Sequence, residues 1–301
     1  MVPLRHTTHD PHPADREEMA ALSQQKRAEQ VMRLLEQQDS VQVSELSNLF
    51  DVSEVTIRSD LAELARQGLV ARVRGGVRAL QRGQSELGFD LRLRLEAPRK
   101  QAIVRAAAAM VGEGEAVALD SSTTAYYLAL ELRSKRELVV VTNGLLIAAA
   151  LADAPGVTVL VTGGMLRQSA MSLVGDFGTE LFRSTRINRG FFGARGLSLE
   201  RGLMDLNPDE VGIKHRMAEA CERVVGILDS TKWHRSALLS FVATERIDAI
   251  VTDAGAPGPD VAAWRAAGVQ VVTAEVPASR RPLAAVPDLR RAVPDGGGVE
   301  G

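Results

Sequence analysis

The sequence contains little of what several large classes of protein depend on. Its single cysteine, Cys221, cannot form an internal disulfide or build a thiolate metal site alone, which fits a reducing compartment. No run of about 18 apolar residues occurs, and residues 1–22 lack the apolar core of a secretion signal. With 2 Trp and 2 Tyr, platforms for stacking single-stranded nucleic acid are scarce. We therefore expect a cytoplasmic protein that does not bind membranes.

An excess of charge of one sign is also missing. The 36 Lys and Arg residues against 38 Asp and Glu residues give a net charge of -2, so binding of a polyanion would need a local basic patch. Residues 66–82, RQGLVARVRGGVRALQR, form such a patch because they include five arginines and no acid. On charge alone, a solvated basic surface explains this segment equally well.

Composition and length predict a folded chain of two or three domains. Hydrophobic residues make up 45% and charged residues 25%, close to the globular average. The two ends lack apolar periodicity, and the character of the chain changes near residue 80. The predicted division is a disordered tail at 1–23, a helical and hairpin domain at 24–80, a connector at 81–98, an α/β domain at 99–275 and a disordered tail at 276–301.

The first domain shows the pattern of three helices. Apolar residues at i, i+3, i+4 and i+7 between 28 and 35 predict a helix over 24–38, and a short helix follows at 44–50. After a tight turn, Ser53 is a natural N-cap for a third helix that runs to about residue 67. Helix, turn and helix in this order are typical of the helix-turn-helix motif.

The third helix is followed by a predicted β-hairpin. Residues 69–78 alternate around a Gly-Gly turn, which makes the whole a winged helix-turn-helix domain. Such a helix fits the major groove of double-stranded DNA, and arginines on a wing reach phosphates or the minor groove. A protein-binding winged helix with solubilising arginines is the alternative. The candidate DNA contacts are the outward-facing residues Ser53, Val55, Thr56, Arg58, Ser59, Arg72, Arg74 and Arg78.

A family resemblance is carried by residues 41–77, VQVSELSNLFDVSEVTIRSDLAELARQGLVARVRGGV. This segment resembles the signature of the DeoR family of bacterial transcriptional regulators. Ser59 stands where the family commonly has a second basic residue, and Arg74 replaces a common His. The resemblance implies a regulator that binds an operator. The base sequence of that operator cannot be inferred from the family.

The second domain alternates apolar β-branched runs with helix-like segments. Nearly continuous apolar runs are typical of strands covered on both faces, so we predict an α/β fold with a mostly parallel sheet. The predicted strands are 116–120, 138–142, 157–161, 224–229, 248–253 and 269–273. The predicted helices are 123–132, 145–152, 209–220 and 259–267.

Polar groups follow several of these strands. Because ligands of parallel α/β sheets bind outside the carboxyl ends of the strands, these groups should converge. Asp120 to Thr124 offer hydroxyls and free amides at a helix start, which suits an anion such as phosphate. Asn143, Gly163, Gly164 and Arg167 follow the next two strands. Each feature also has a purely structural explanation: a helix N-cap for the hydroxyls, a turn for the glycines and solvation for the lysines. These explanations do not account for the convergence of all of them at one edge of the sheet.

This half of the chain also resembles the sensor domain of the DeoR family, which is similar in fold to ribose-5-phosphate isomerase. The matching pieces are LDSSTT, VTNG, TGGMLR, LVGD, FFGARG, DEVGIKHRM and DSTKW. The resemblance implies a pocket for a phosphorylated sugar lined by Ser122, Thr123, Thr124, Asn143, Gly163, Gly164, Arg167, Lys214 and Lys232, to which we add Asp120. Ser122 stands where a Gly is common.

Catalysis is not expected in this pocket. An aldose–ketose isomerase needs a carboxylate that moves a proton between neighbouring carbons, and the FFGARG loop contains no acid. Asp120 and Asp229 are better explained as acceptors for backbone amides. Zinc-binding spacing, Ser-His-Asp order and a Walker loop are missing, so neither cofactor nor metal is predicted.

The leading hypothesis is a transcription regulator, most simply a repressor, whose DNA affinity responds to a phosphorylated sugar. A homo-oligomer, dimer or tetramer, is expected because one small head rarely reaches specific affinity. Two alternatives stay open. The first is a sugar-phosphate isomerase with an accessory DNA-binding head, and the second is a regulator with a vestigial pocket and a protein ligand.

Overall fold

A computed structural model describes residues 24, 27–28, 30–32, 34–35, 38, 40–66, 70–79 and 89–277. The chain divides into two compact units, Met1–Glu86 and Leu87–Gly301. The predicted tail at 1–23, residues 81–88 of the predicted connector, and residues 278–301 of the second predicted tail lie outside the described residues. Within the described part, no helix is long and apolar enough to span a bilayer.

The N-terminal unit contains the predicted winged helix-turn-helix. Its two bounded helices are α1 Val43–Phe50 and α2 Glu54–Arg66, and its strands are β1 Ser40–Gln42, β2 Val70–Val73 and β3 Gly76–Ala79. Described residues between 24 and 35 are also helical, as predicted. The strands form an antiparallel sheet in the order β1-β3-β2. Strand β1 is too short to produce a sequence signal, and it adds a third strand to the predicted hairpin.

The helix-turn-helix geometry has clear local causes. Asp51 adopts φ 52°, which turns the chain after α1, and the Val52 amide donates to the Ser47 carbonyl at 3.2 Å. Ser53 caps α2, since the Thr56 amide donates to Ser53 Oγ at 3.2 Å. The inward face of α2 is the predicted one, because Ile57, Leu61 and Leu64 are all buried.

The wing requires glycine at position 76. A Cβ at Gly76 would lie 2.1 Å from the Val41 carbonyl oxygen and 3.0 Å from the Gln42 Cα, both backbone atoms of the paired strand β1. Gly76→Ala should therefore lower the free energy of unfolding of this unit by about 1–3 kcal/mol. Gly212→Ala is the control, because its Cβ meets nothing within 4 Å and alanine favours a helix. Urea denaturation of both variants checks this, and equal stability would contradict the close packing.

The C-terminal unit is built around a large sheet. Its strands are β4 Ala116–Leu119, β5 Leu138–Thr142, β6 Val157–Val161, β7 Met165–Arg167, β8 Ser172–Val174, β9 Ile187–Phe192, β10 Gly196–Ser198, β11 Gly202–Asp205, β12 Cys221–Ile227, β13 Leu239–Val242, β14 Ala249–Asp253 and β15 Gln270–Ala274. Its helices are α3 Phe89–Arg94, α4 Ala97–Ala108, α5 Thr123–Leu132, α6 Leu145–Leu151, α7 Glu180–Ser184, α8 Pro208–Glu219 and α9 Gly258–Ala266.

The large sheet confirms the predicted α/β class. Seven strands pair in the order β15-β14-β12-β9-β4-β5-β6, and every pairing among them is parallel. One face packs against α4, α5 and α6, and the other against α8, α9 and the small sheet β10-β11-β13. The carboxyl ends of β4, β5, β6, β9 and β12 therefore share one edge, where a ligand site is expected.

Strand β9 and helix α3 are among the elements of this unit that were not predicted. Strand β9 lies at the middle of the sheet but contains Asn188, Arg189 and Gly190, which interrupt its apolar run. Arg189 pairs with Glu115 at 3.3 Å, and a Cβ at Gly190 would lie 2.6 Å from the Cys221 Sγ. Helix α3 and the start of α4 fall within the predicted connector, and Phe89 and Leu93 of α3 are buried in the core of this unit.

Candidate functional site

The predicted reading face of α2 is exposed. Val55 is 76% exposed, the Arg58 side chain 61%, and Ser59 is exposed as well. Thr56 is half-buried, and its hydroxyl lies 2.9 Å from Ser53 Oγ, so these two residues mainly hold the helix start. Among the predicted contacts of α2, this leaves one apolar side chain, one guanidinium and one hydroxyl for DNA, a set that suits the base edges of a major groove.

The wing presents the predicted positive charge. Arg72 on β2, Arg74 in the turn and Arg78 on β3 are all exposed. Buried Val77 lies between them in the chain and anchors the strand. Exposed arginines on a short, anchored hairpin are suited to phosphate contacts.

The loop that follows β4 is stabilised by hydrogen bonds to two of the predicted ligand residues. Asp120 Oδ1 accepts from the Ser122 amide at 3.2 Å, and Asp120 Oδ2 accepts from the Gly193 amide at 3.1 Å. Ser122 Oγ caps α5 by accepting from the Ala125 amide at 3.1 Å. Both predicted ligand residues are thus used in loop structure, as a backbone acceptor and as an N-cap.

Lys214 belongs to a buried ionic cluster. Its Nζ lies 2.7 Å from Asp205 Oδ2 and 3.0 Å from Asp120 Oδ2, and it donates to the Gly193 carbonyl at 3.0 Å. Burial alone would lower the pKa of Lys214, but Asp205, Asp120 and Glu210 outweigh it and hold the pKa above its usual value. The amine stays protonated and neutralised by its neighbours, so it is not a proton acceptor.

A second cluster surrounds Glu210, a residue that was not among the predicted ligands. Its carboxylate is 3% exposed and accepts from Arg167 Nη1 at 2.8 Å, from Ser121 Oγ at 3.2 Å and from Ser172 Oγ. The predicted ligand Arg167 is therefore paired with an acid. Glu210, Ile213, Lys214 and Met217 share the buried face of α8 at i, i+3, i+4 and i+7, and this spacing was the available signal.

The ends of β5 and β6 supply the predicted amide and glycines. Asn143 is fully buried and donates from Nδ2 to the Leu173 carbonyl at 3.3 Å, while its Oδ1 has no partner among the described residues. Gly164 adopts φ +141°, and a Cβ there would lie 2.3 Å from the Val174 carbonyl oxygen. At Gly163 a Cβ would lie 3.1 Å from the Phe177 carbonyl oxygen. Close backbone packing thus accounts for both glycines.

The third group is cationic and lies at the N-terminus of α5. Lys100 is 5% exposed, and its Nζ donates to Thr123 Oγ1 at 2.9 Å and to the Arg92 carbonyl. Thr123 and Thr124 are both buried in the first turn of α5. Lys232 lies close enough to affect the pKa of Lys100 and of Asp229. One predicted ligand, Thr123, thus contacts a lysine that was not predicted, and a second, Lys232, interacts electrostatically with that lysine and with Asp229.

The electrostatics of this cationic group are unusual. The pKa of Lys100 is lowered to about 7, mainly by burial and also by the charges of Lys232 and Arg92, which together outweigh the opposite effect of Asp229 and Glu96. Burial also raises the pKa of Asp229, but Lys232, Thr231 and Lys100 outweigh burial and lower it. A buried, partly protonated amine beside a second lysine and a helix N-terminus is suited to take up an anion.

Lys100 had a sequence signal that was overlooked. With Ile103, Val104 and Ala107 it occupies i, i+3, i+4 and i+7 on the buried face of α4. A lysine at an apolar position of a helix must be paired or functional, because burial of an isolated ammonium is costly. The signal was missed because α4 itself was not predicted.

Family comparisons cover both units. The family model of the DeoR C terminal sensor domain matches residues 96–254, and that of the DeoR-like helix-turn-helix domain matches residues 27–82. The chain is 37% identical over 249 residues to a putative aga operon transcriptional repressor of Escherichia coli O157:H7, covering 82% of this chain and 93% of that protein. It is 34% identical to the HTH-type transcriptional regulator GolR of Listeria innocua, covering 76% of this chain and 90% of that protein.

Among solved structures, a D-ribose-5-phosphate isomerase in complex with phospho-erythronic acid matches 46% of this chain and 54% of that chain. The sequence identity is 11% and the TM-score 0.36. A likeness this weak does not transfer a ligand or an active site.

Proposed function

Because this chain belongs to the DeoR family of transcriptional regulators, we propose that it is a repressor whose operator affinity changes when a phosphorylated sugar binds its C-terminal unit. In this proposal, residues 24–80 bind DNA, residues 99–275 bind the effector, and residues 81–98, which include α3 of the C-terminal unit, join them. The observation that carries the effector is the contact of buried Lys100 with Thr123 at the N-terminus of α5, within electrostatic range of Lys232 and Asp229.

The phosphate of the effector would occupy this cationic group. The first backbone N–H groups of α5 point outward along the helix axis. They lie at the positive end of the helix dipole, which attracts an anion. Lys100 and Lys232 add charge, and Thr123 Oγ1, now 2.9 Å from Lys100 Nζ, adds a hydroxyl. A dianion binds such a group best when both lysines are protonated.

The sugar part would extend toward the neighbouring strand ends. Asn143 offers a buried Oδ1 without a partner among the described residues, and an unsatisfied acceptor of this kind favours a ligand hydroxyl. The Arg167–Glu210 pair, 2.8 Å apart, offers further donors and acceptors. A sugar with hydroxyl groups on several adjacent carbons could hydrogen-bond to these side chains.

A regulator rather than an isomerase agrees with the chemistry of the strand ends. Isomerisation needs a carboxylate free to move a proton. Asp120 is paired with Lys214 at 3.0 Å, and Glu210 with Arg167 at 2.8 Å. Asp229, the other acid considered as a base, accepts from the Thr231 amide at 3.0 Å and interacts with Lys232 and Lys100. All three acids are thus already engaged, so proton abstraction is not supported.

The proposal also includes self-association of the chain. Operators read by helix-turn-helix proteins have two half-sites, and two heads are needed for specific affinity. We propose a homodimer or a homotetramer acting on DNA in the cytoplasm. An effector changes DNA affinity only if it binds one arrangement of the heads more tightly than another.

A thermal-shift screen of sugar phosphates tests the effector. A ligand at about 100 times its dissociation constant should add about 2.7 kcal/mol to the free energy of unfolding. The matching free sugars and inorganic phosphate serve as controls, and each hit is then added to an operator gel shift. Stabilisation by free sugars alone would contradict the phosphate site, and turnover of a hit to its isomer would contradict the regulator.

A further inference from the structure

An acid lies on the DNA-reading face of α2. Glu54 is the first residue of this helix, and its Oε2 accepts from Arg58 Nη2 at 2.8 Å. Both side chains are exposed, Glu54 by 47% and Arg58 by 61%. No sequence pattern drew attention to Glu54, because an acid next to DNA is expected to oppose binding.

A carboxylate in the first turn stabilises the start of α2 through the helix dipole, but this effect does not require a contact with Arg58. An exposed i, i+4 ion pair stabilises a helix only slightly. A carboxylate facing a polyanion lowers non-specific affinity, because it repels phosphates and offsets one arginine. What the contact does provide is orientation, since an arginine side chain otherwise has many rotamers.

We propose that Glu54 is a positioning residue that aims the Arg58 guanidinium at a guanine in the major groove. This inference rests on the proposed function, because it takes α2 to be the helix that enters the groove. Residues near the N-terminus of a recognition helix are those that reach base edges. One guanidinium N–H is held by Glu54, and the others stay available to guanine O6 and N7.

The neighbouring residues fit this arrangement. Val55 and Ser59 are exposed on the same helix but are too short to compete for the guanidinium. Val55, 76% exposed, suits contact with a thymine methyl group. Of Val55, Arg58 and Ser59, Arg58 is therefore the long, multivalent donor, and its orientation decides which base is read.

The test is base discrimination, not affinity alone. An operator is selected from random duplexes with the full chain, and each position is then replaced by the other three bases. The parent should prefer guanine at one position of each half-site by roughly 5- to 150-fold. Glu54→Gln should reduce that preference to below about 3-fold at this position only, with affinity for non-specific DNA unchanged or raised.

Two further variants separate the mechanisms. Glu45→Gln removes an exposed acid from α1 and should leave discrimination at every position intact. In the Arg58→Ala background, Glu54→Gln should have no further effect on base discrimination, because a positioning residue acts through its partner. A persisting effect would overturn the positioning role, since it would mean that Glu54 contacts a base itself, for example a cytosine amino group.

The outcomes distinguish this inference from the function beneath it. If the parent selects no sequence, the proposed function fails and the positioning role fails with it. If the parent selects an operator and Glu54→Gln discriminates as well as the parent, only the positioning role is overturned. Circular dichroism melting of each variant shows whether the unit is folded in these assays.

Discussion

Arg58→Ala should lower operator affinity by roughly 5- to 150-fold at about 150 mM salt, since one base contact contributes about 1–3 kcal/mol. The loss should be largest for the selected operator and small for random DNA. Arg58 has this effect because it is the long exposed donor on the face of α2, where Val55 and Ser59 reach less far. Gel-shift titrations over a series of salt concentrations measure it.

The arginines of the wing should contribute to DNA affinity independently of the base sequence. Arg72→Ala and Arg74→Ala remove exposed charges that face phosphates, so affinity should fall by similar factors for all sequences. The slope of log K against log salt should decrease in magnitude by about 0.9 for each phosphate that the variant no longer neutralises.

Arg183→Ala is the control for these variants. Arg183 is exposed and pairs with Glu180 at 2.9 Å on α7, so its charge and its ion pair match those of Arg58 without a place on the reading face. It should bind the operator like the parent. Parent-like binding by the Arg58, Arg72 and Arg74 variants would contradict the assignment of the DNA interface.

Lys100→Met should lower effector affinity by roughly 10- to 150-fold at pH 7, because a hydrogen bond to a charged group contributes about 1.5–3 kcal/mol. Lys232→Met should act in the same direction. DNA affinity in the absence of effector should not change, since the lysine acts on the ligand. Calorimetric titration with a sugar phosphate from the screen, paired with operator gel shifts, measures both quantities.

The pH dependence of effector binding gives this prediction a second readout. Burial lowers the pKa of Lys100 to about 7, and a bound phosphate dianion should raise it. Binding then takes up a proton, so effector affinity should fall as pH rises above 7, by at most about tenfold per pH unit. The Lys100→Met variant should lose this dependence. A parent whose effector affinity is the same from pH 7 to pH 9 would overturn the role of Lys100.

The free energy of unfolding of the ligand-free protein should instead increase as pH rises. The pKa of Lys100 is about 7 in the folded chain, against 10.5 for a lysine side chain in water, so between these pH values the unfolded chain binds more protons. The free energy of unfolding should therefore rise with pH from about 7 to about 9, the ordinary pKa of a thiol. Above that pH the buried Cys221 thiol, whose pKa burial raises to about 12, acts in the opposite direction. Lys100→Met should remove that rise. Lys135→Met is the control, because its Nζ donates to the Val111 carbonyl at 2.7 Å, away from the cationic group.

Much of the fold follows from local patterns. Periodic apolar residues predicted the helices of the N-terminal unit, and the Gly-Gly turn predicted its wing, because both depend on neighbours within a few residues. The apolar runs of β4, β5, β6 and β14 were read correctly for the same reason. Family membership also follows from short motifs.

The fold class and the strand ends where polar groups gather can be read from the sequence alone. Which of those polar groups have partners depends on the tertiary structure. The fold places Lys214 between Asp120 and Asp205, and it brings Lys100 to Thr123 across 23 residues of chain. Burial and charge compensation depend on contacts between distant residues, and these contacts exist only after the sheet has formed.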